Sequence, residues 1–202
     1  PVLPASVNPG VPSQATLLMT DVYRGLTGVE RGTIKYLRIM EQVPRPWSAR
    51  RFWNDADVYD QQHAVVSKDT HLGLKVLHGI VPVEEDGSAY FAVPSDKNLF
   101  FQALDDDFME VQRMRTYVNL RPGETRSCIG CHEQREMAPS GRYPLALNHP
   151  PAHPGPQPGE KAPRPLYYPA DVQPILDKHC VSCHSGAEPK AGLDLSGEMT
   201  AL

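Results

Sequence analysis

The stretch from Leu74 to Leu104, LKVLHGIVPVEEDGSAYFAVPSDKNLFFQAL, decides the fold of this 202-residue chain. It holds runs of β-branched, aromatic and aliphatic residues, separated by an acidic turn at 84–87 and a polar turn at 94–98. Short runs of this kind, bounded by turn residues, are typical of strands in an antiparallel sheet. Residues 16–19 and 32–40 before the stretch, and 111–120 after it, have the same character. We therefore predict a mainly β fold with an antiparallel sandwich as its principal domain.

The four cysteines of the chain all lie in two copies of one motif. The copies are Cys128-Ile129-Gly130-Cys131-His132 and Cys180-Val181-Ser182-Cys183-His184. C-x-x-C-H is the attachment signature of c-type haem, since two thiols on one helical turn can each add to a vinyl group of one porphyrin. The next residue then presents its imidazole to the iron as proximal ligand. The doubled motif predicts two covalently bound haem c groups; a zinc site and a thiol redox pair are the alternatives.

The domain organisation follows from the prolines and the two motifs. From Pro139 to Pro169 ten residues are proline, which excludes a helix or a central strand and predicts a polyproline-like connector. After it, residues 171–178 predict a short helix capped by Asp171, which leads into the second motif. We predict an extended arm at 1–15, a β-rich domain with haem one at 16–138, the connector at 139–169, and a partial, helical, cytochrome c-like segment with haem two at 170–202.

Candidates for the sixth iron ligands come from the remaining histidines. His78 lies in a predicted strand of the haem-bearing domain, His63 and His71 lie in a polar excursion, and His149 and His153 lie in the connector. A half-buried strand histidine or a solvated histidine is the ordinary alternative for each. His179 directly precedes Cys180 and cannot reach the far side of its own haem. Methionine ligation is the other possibility, and the methionines near the motifs in sequence are Met109, Met114, Met137 and Met199.

The composition limits the kinds of partner and the cellular compartment that we expect. The formal net charge of -4 argues against nucleic acid as a partner. No apolar run reaches transmembrane length, so we expect no membrane span. Covalent haem attachment takes place on the outer side of the energised membrane, so we expect an exported, periplasmic or extracellular protein. No signal peptide is visible at Pro1, and we therefore expect a processed or trimmed chain.

Several segments resemble the middle-domain family of the hydrazine synthase alpha subunit, which also occurs in large exported multihaem cytochromes of planctomycete type. The segments that carry the resemblance are residues 21–25 (DVYRG), 31–38 (RGTIKYLR), 81–91 (VPVEEDGSAYF), 101–105 (FQALD) and 121–128 (RPGETRSC). Residues 168–176 and 192–197 resemble the start of the cytochrome c domain that follows it in the family. The resemblance implies a β-rich middle domain with haem one, then the opening of a helical haem domain.

One departure from the family bears on catalysis. In hydrazine synthase, as the resemblance implies, a tyrosine four residues past the motif histidine ligates the first iron, and the motif histidine binds zinc. Here that position is Glu136. We therefore expect His132 to be an ordinary proximal ligand and the first iron to be low-spin.

In a haem protein, the polypeptide sets the exposure, the spacing and the reduction potential of the haems, whereas the haems supply the chemistry. We expect a dihaem cytochrome that relays electrons between redox partner proteins or between the haems of an assembly, rather than a catalyst. Two alternatives stay open. One is a haem oxidoreductase with one open iron, related to hydrazine synthase. The other is a structural building block of a cytochrome assembly, as a homo-oligomer, a filament or part of a longer chain.

Overall fold

The computed structural model describes residues 13–43, 75–134, 136–163 and 167–197. Most of the predicted N-terminal arm lies outside the described residues, as do His63, His71 and Met199. The chain divides into two compact units, Pro1–Arg164 and Pro165–Leu202.

The described part of the first unit contains two β-sheets. The strands are β1 (Gln14–Met19), β2 (Tyr36–Gln42), β3 (Lys75–Pro82), β4 (Ala89–Pro94), β5 (Leu99–Leu104), β6 (Glu110–Arg113) and β7 (Thr125–Cys128). One sheet has three strands in the order β4-β1-β7, and the other has four in the order β3-β2-β5-β6. β1 and β7 are parallel, and the other pairs are antiparallel. The prediction of a mainly β domain of mostly antiparallel sheets is confirmed.

The core lies where side chains of the two sheets meet. β1 and β2 alternate between buried and partly exposed residues, so that Leu17, Met19 and Ile39 point inward. Phe91 of the three-stranded sheet meets Phe101 of the four-stranded sheet edge to face, with ring centroids 5.6 Å apart. This contact joins the sheets, because each ring belongs to a different one.

The sequence pattern misplaced two elements beyond residue 110. The strand predicted at 111–120 is β6 alone, followed by a single bridge between Val118 and Leu99. β7, with the sequence TRSC, was not predicted. Its residues carry no alternation of apolar and polar side chains, so its pairing with β1 specifies it instead.

The proline-rich segment is part of the first unit up to residue 163. We call residues 145–155 the strap. It begins as a 3-10 helix, Leu145–Asn148, whose first two N–H groups donate to the side chains of Asp86 and Ser88. Further along, the strap forms isolated bridges to both sheets.

The strap pairs with one edge strand of each sheet. Ala152 donates to the carbonyl oxygen of Tyr90 and accepts from the N–H of Ala92, both at 2.9 Å, beside β4. Gly155 exchanges two hydrogen bonds with Ile80 of β3, at 2.8 and 3.0 Å. Proline has no N–H, so the non-proline residues of the strap supply its donors. The predicted free connector therefore covers two sheet edges over this range, which protects them from pairing with other chains.

A β-bulge in β3 lies beneath the strap. β2 and β3 pair Ile39 with Gly79 and then Met40 with Leu77, so His78 has no partner on β2. Gly79 has a φ of +133°, and a Cβ at this residue would lie 2.5 Å from the carbonyl oxygen of Gly155. Both the backbone angle and the close approach of the strap require glycine here.

The second unit is small and open. It contains α1 (Tyr168–Asp171), α2 (Gln173–His179) and a 3-10 turn, Lys190–Gly192. None of the side chains described between 167 and 197 is fully buried. The carboxylate of Asp171 accepts from the N–H of Tyr167 at 2.6 Å and does not cap α2 as predicted, because α2 begins after Val172. No helix in the described ranges is long and apolar enough to cross a membrane.

We expect Gly79→Ala to destabilise the first unit by roughly 1–3 kcal/mol, because alanine disfavours the positive φ and its Cβ meets the strap. Gly159→Ala is the matched control, since Gly159 also has a positive φ, of +88°, but nothing lies within 4 Å of its Cβ position. Denaturant unfolding followed by circular dichroism measures both. Equal losses for the two variants would show that the strap contact contributes nothing.

Candidate haem-attachment sites

The first motif begins at the end of β7. Cys128 is the last residue of this strand and pairs with Met19, the last residue of β1. The backbone N–H of Thr20 donates to the carbonyl oxygen of Cys128 at 2.9 Å. The hydroxyl of Thr20 donates to the carbonyl oxygen of Ile129, also at 2.9 Å. The parallel pairing therefore continues one residue beyond β1 and fixes where the motif leaves the sheet.

The first motif is a turn braced by another part of the chain rather than a helical turn. The N–H of His132 donates to the carbonyl oxygen of Arg24 at 3.5 Å. A Cβ on Gly25, which has a φ of +82°, would overlap the carbonyl oxygen of His132. A Cβ on Gly130 would overlap the carbonyl oxygen of Arg24. The two backbones are in direct contact, and glycine on each side permits it.

The two thiols of the first motif lie against the hydrophobic core. Cys128 and Cys131 are partly buried and pack on the core cluster of the sandwich. Burial raises the pKa of Cys128 to about 11, and the nearby Glu133 adds to the rise. Burial likewise raises the pKa of Cys131 to about 12, with further contributions from Cys128 and Asp21. Both thiols are therefore protonated at neutral pH.

The imidazole of His132 is exposed and has one side-chain partner in the described structure. Its Nε2 lies 2.8 Å from Nε2 of Gln112, a residue of β6. Within the motif, the N–H of Ile129 donates to the carboxylate of Glu133 at 2.8 Å. Glu136, at the position where the family resemblance implies tyrosine, is exposed.

The second motif is a helical turn that continues from α2. The N–H of His184 donates to the carbonyl oxygen of Cys180 at 3.0 Å, which is the spacing of an α-helical hydrogen bond. This geometry agrees with the expectation that the thiols of a C-x-x-C-H motif share one turn. The N–H of Cys180 donates in turn to Leu176 at 2.7 Å, so α2 leads directly into the motif.

The residues after the second motif hold the ring of His184. Its Nδ1 lies 3.3 Å from the carbonyl oxygen of Leu193. A carbonyl oxygen only accepts, so Nδ1 carries the hydrogen, and the lone pair of the neutral ring is then on Nε2. The N–H of Leu195 donates to the carbonyl oxygen of His184 at 2.8 Å. The side-chain amide of Gln173 donates to the carbonyl oxygen of Leu195 at 2.9 Å. Residues 193–195 therefore return to the motif and α2.

His78, a candidate sixth ligand, binds a buried carboxylate. Its Nε2 lies 2.9 Å from Oε2 of Glu41, and Nζ of Lys97 lies 3.2 Å from Oε1 of the same residue. The side chain of Glu41 is only 5% exposed, so it needs such partners. This contact with a buried carboxylate is a structural reason for a histidine at this position.

The structure places His78 and His153 together, away from the first motif. Both line a cavity of about 440 Å³ beside Gln14, at the start of β1. Cys128 lies beside the end of β1, about 17 Å away for a strand of this length. His149 follows the 3-10 helix and His179 ends α2; both are exposed. Ligation by these histidines, and by His63 and His71, stays a prediction.

Both motifs supply the donor atoms of a c-type haem, but only the second has the expected helical turn. Each supplies two thiols three residues apart and an adjacent imidazole, and the Nε2 lone pair of His184 is the donor that an iron requires. The partly buried Cys128 and Cys131 lie against apolar side chains, which is a suitable surrounding for a porphyrin plate. No three His, Cys, Asp or Glu side chains converge on a common point within the described ranges.

Comparison with known proteins identifies the family of this β unit. Residues 32–133, which include β2 to β7 and the first motif, match the family described as the hydrazine synthase alpha subunit middle domain. The chain belongs to this family. The predicted relationship to the hydrazine synthase alpha subunit is therefore confirmed.

Two relatives show how far the likeness extends. Hydrazine synthase subunit alpha of Kuenenia stuttgartiensis is 35% identical over 107 residues, which are 52% of this chain and 13% of that protein. A solved structure of Kuenenia stuttgartiensis hydrazine synthase aligns with a TM-score of 0.72 at 22% identity, over 98% of this chain and 33% of that chain. At this identity the structural likeness shows a shared fold. The chain spans a minor part of either relative.

Sequence reasoning found the hydrazine synthase-like motifs but missed the residues that hold them. Arg24 and Gly25 were noted only as part of the family resemblance, and Gln112 and Leu193 were not singled out as site residues. Backbone carbonyls and a strand glutamine leave no recognisable pattern of spacing. The sequence offered one signal, which is that Gly25 ends the family-like segment 21–25; the structure shows that this glycine has a positive φ.

We expect Cys128 and Cys131 to react slowly with iodoacetamide in the full chain produced without haem attachment. The thiolate is the nucleophile, and a pKa of about 11 or 12 leaves roughly one thiol in a thousand or fewer ionised at pH 8. Labelling should rise about tenfold per pH unit from pH 8 to 10. Peptide mass spectrometry measures each site, with the exposed Cys183 as internal comparison. Labelling of Cys128 and Cys131 as fast as that of Cys183 would contradict the expected burial.

Proposed function

We propose that this hydrazine synthase alpha-like chain carries two covalently attached c-type haems and relays electrons between them and redox partner proteins. The observation that carries the proposal is the doubled C-x-x-C-H motif, which uses all four cysteines. Each motif histidine also lies in a hydrogen-bonded turn, with its ring held by a second group. Haem supplies one-electron redox chemistry when bound.

The chain's own residues attach and orient the cofactors in this proposal. Cys128 and Cys131 hold the first porphyrin, and Cys180 and Cys183 hold the second. His132 and His184 serve as proximal ligands. The Nδ1–H of His184 donates to the Leu193 carbonyl oxygen, and such a hydrogen bond both orients the ring and strengthens Nε2 as a donor.

The proposal includes export. Covalent haem attachment requires the outer side of an energised membrane, so the chain acts in the periplasm or outside the cell. The 1–15 arm and 139–169 segment are then parts of an exported protein, and the 170–202 segment is the beginning of a cytochrome c-like domain.

Electron relay is preferred over catalysis at the first haem because of position 136. The family resemblance implies a tyrosine ligand there in the catalytic enzyme, whereas Glu136 stands at this position and is exposed. His132 and a second nitrogen or sulfur donor would hold the first iron. This proposal gives a low-spin, coordinatively saturated iron.

A second candidate function is a haem oxidoreductase with one open iron. Membership of the hydrazine synthase alpha middle-domain family favours it. The two candidates differ in one measurable property: an open iron binds carbon monoxide readily in the reduced state, and a saturated iron does not.

The chain also acts within a larger assembly in this proposal. The relatives are much longer than this chain, since the aligned parts are 13% and 33% of their lengths. Further domains, other subunits or further copies of the chain then supply the redox partners and the continuation of the electron path. A purely structural role in such an assembly differs from electron relay in one respect. In the structural role, the haems of this chain are not reduced on the timescale on which the assembly turns over.

Intact mass under denaturing conditions tests the proposal directly. The full chain, produced with haem-attachment machinery, should exceed its polypeptide mass by two haems. Cys128→Ala with Cys131→Ala should remove one haem, and Cys180→Ala with Cys183→Ala should remove the other. A wild-type chain that contains zinc and no covalent haem would overturn the proposal. Carbon monoxide binding by either reduced haem would favour the oxidoreductase.

We expect Gly25→Ala to disturb the first haem and leave the second unchanged. The new Cβ overlaps the His132 carbonyl oxygen, so the motif must shift. Gly28→Ala is the matched control, because Gly28 has a similar φ, of +78°, but nothing lies within 4 Å of its Cβ position. Backbone strain alone costs roughly 1–3 kcal/mol in both variants. Low-temperature visible and magnetic spectra distinguish them, and identical first-haem spectra would show that Gly25 does not position His132.

A further inference from the structure

Gln112 holds the imidazole of His132 by the nitrogen that a haem iron takes. Nε2 of its side-chain amide lies 2.8 Å from Nε2 of His132. Gln112 lies outside the motif, 20 residues earlier in the chain, on β6. The contact therefore comes from the tertiary structure.

The orientation of the amide decides which atom is the donor. The carbonyl oxygen of the Gln112 side chain accepts from the N–H of Arg113 at 3.3 Å. Exchanging the amide oxygen and nitrogen would place two donors against each other at Arg113. The amide NH₂ therefore faces His132, and because that group only donates, Nε2 of His132 accepts. The hydrogen of the neutral ring is then on Nδ1.

The position of Gln112 is set by the sheet. Gln112 pairs with Ala103 of β5, a buried residue of the core. Gln112 is partly buried as a residue, and its contact with His132 is exposed to solvent. The backbone of His132 makes a separate contact, since its backbone N–H donates to the carbonyl oxygen of Arg24. His132 thus contacts β6 through its ring and the turn that follows β1 through its backbone N–H.

We propose that Gln112 is a positioning residue that selects the tautomer of His132 with a lone pair on Nε2. This inference rests on the proposed attachment of haem at the first motif. A neutral amide hydrogen bond is weak compared with an iron–imidazole bond, so it would not keep an iron from Nε2, and His132 would hold the iron in the tautomer that Gln112 selects. The second motif reaches the same tautomer by a different route, through the Leu193 carbonyl oxygen on Nδ1.

The variant Gln112→Glu inverts this selection with little change of shape. A carboxylate only accepts, so it favours a hydrogen on Nε2 of His132 and opposes the lone pair there. Hydrogen bonds to charged groups are stronger than neutral ones, and we expect the ratio of the two tautomers to shift by about tenfold or more. Gln134→Glu is the control, because it adds the same charge two residues after His132 on an exposed side chain. Gln112→Ala removes the selection without inverting it.

Two measurements on the full chain test the inference. In the chain produced without haem attachment, long-range ¹⁵N–¹H correlation spectra report the protonated nitrogen of His132. Wild type should show Nδ1–H, Gln112→Glu should show Nε2–H or a doubly protonated ring, and Gln134→Glu should resemble wild type. A wild-type ring protonated on Nε2 alone, or equal spectra for the two glutamate variants, would overturn the inference.

The second measurement uses the haem-loaded chain with Cys180→Ala and Cys183→Ala, so that any haem is the first one. Gln112→Glu should lower the fraction of low-spin iron in magnetic and visible spectra, and Gln112→Ala should lower it less. Spectra that do not change with Gln112→Glu would contradict the inference. If wild type attaches no haem at this motif, the proposed function fails, while the tautomer measurement still decides the role of Gln112.

Discussion

The parallel pairing of β1 with β7 is the constraint on which the first motif depends. Strands that run in the same direction release their chains at the same end of a sheet. The turn after β1, which contains Arg24 and Gly25, therefore meets the turn after β7, which contains the motif. An antiparallel β7 would have delivered the cysteines to the opposite end. The contact between the two turns, with glycine on both sides, follows from this single pairing.

The strap closes the same β unit, although its proline-rich composition is typical of a linker. The strap uses its few N–H groups to bond β4 and β3, one edge strand of each sheet. Its close approach requires Gly79, which adjoins the bulge residue His78 in β3. His78 illustrates how a histidine that is a candidate iron ligand can have a structural reason of its own, since it partners a buried carboxylate.

The two motifs share a sequence pattern, but different kinds of contact hold them in place. The second motif is local: α2 leads into it, and residues 193–195 return to hold the His184 ring and backbone. The first motif depends on residues from β1, β6 and the turn between β1 and β2, and its thiols lie on the core. A change that loosens the sandwich therefore acts on the first motif, whereas the second motif is held by contacts within its own unit. This difference gives a chain with two chemically similar sites a way to set their properties separately.

The amino-acid sequence by itself determined the two C-x-x-C-H motifs, the β character of residues 74–104 and the family relationship, because each is a matter of spacing, composition or local pattern. It also located α2, since a short helix is specified by neighbouring residues. Only the tertiary structure decided β7, the strap and the partners of the histidines. The sequence TRSC pairs with β1 because β1 offers a free edge, and Gln112 meets His132 because β6 and the first motif lie close together. Such contacts join residues far apart in the chain, and their free energy comes from pairing and burial, which no local pattern records.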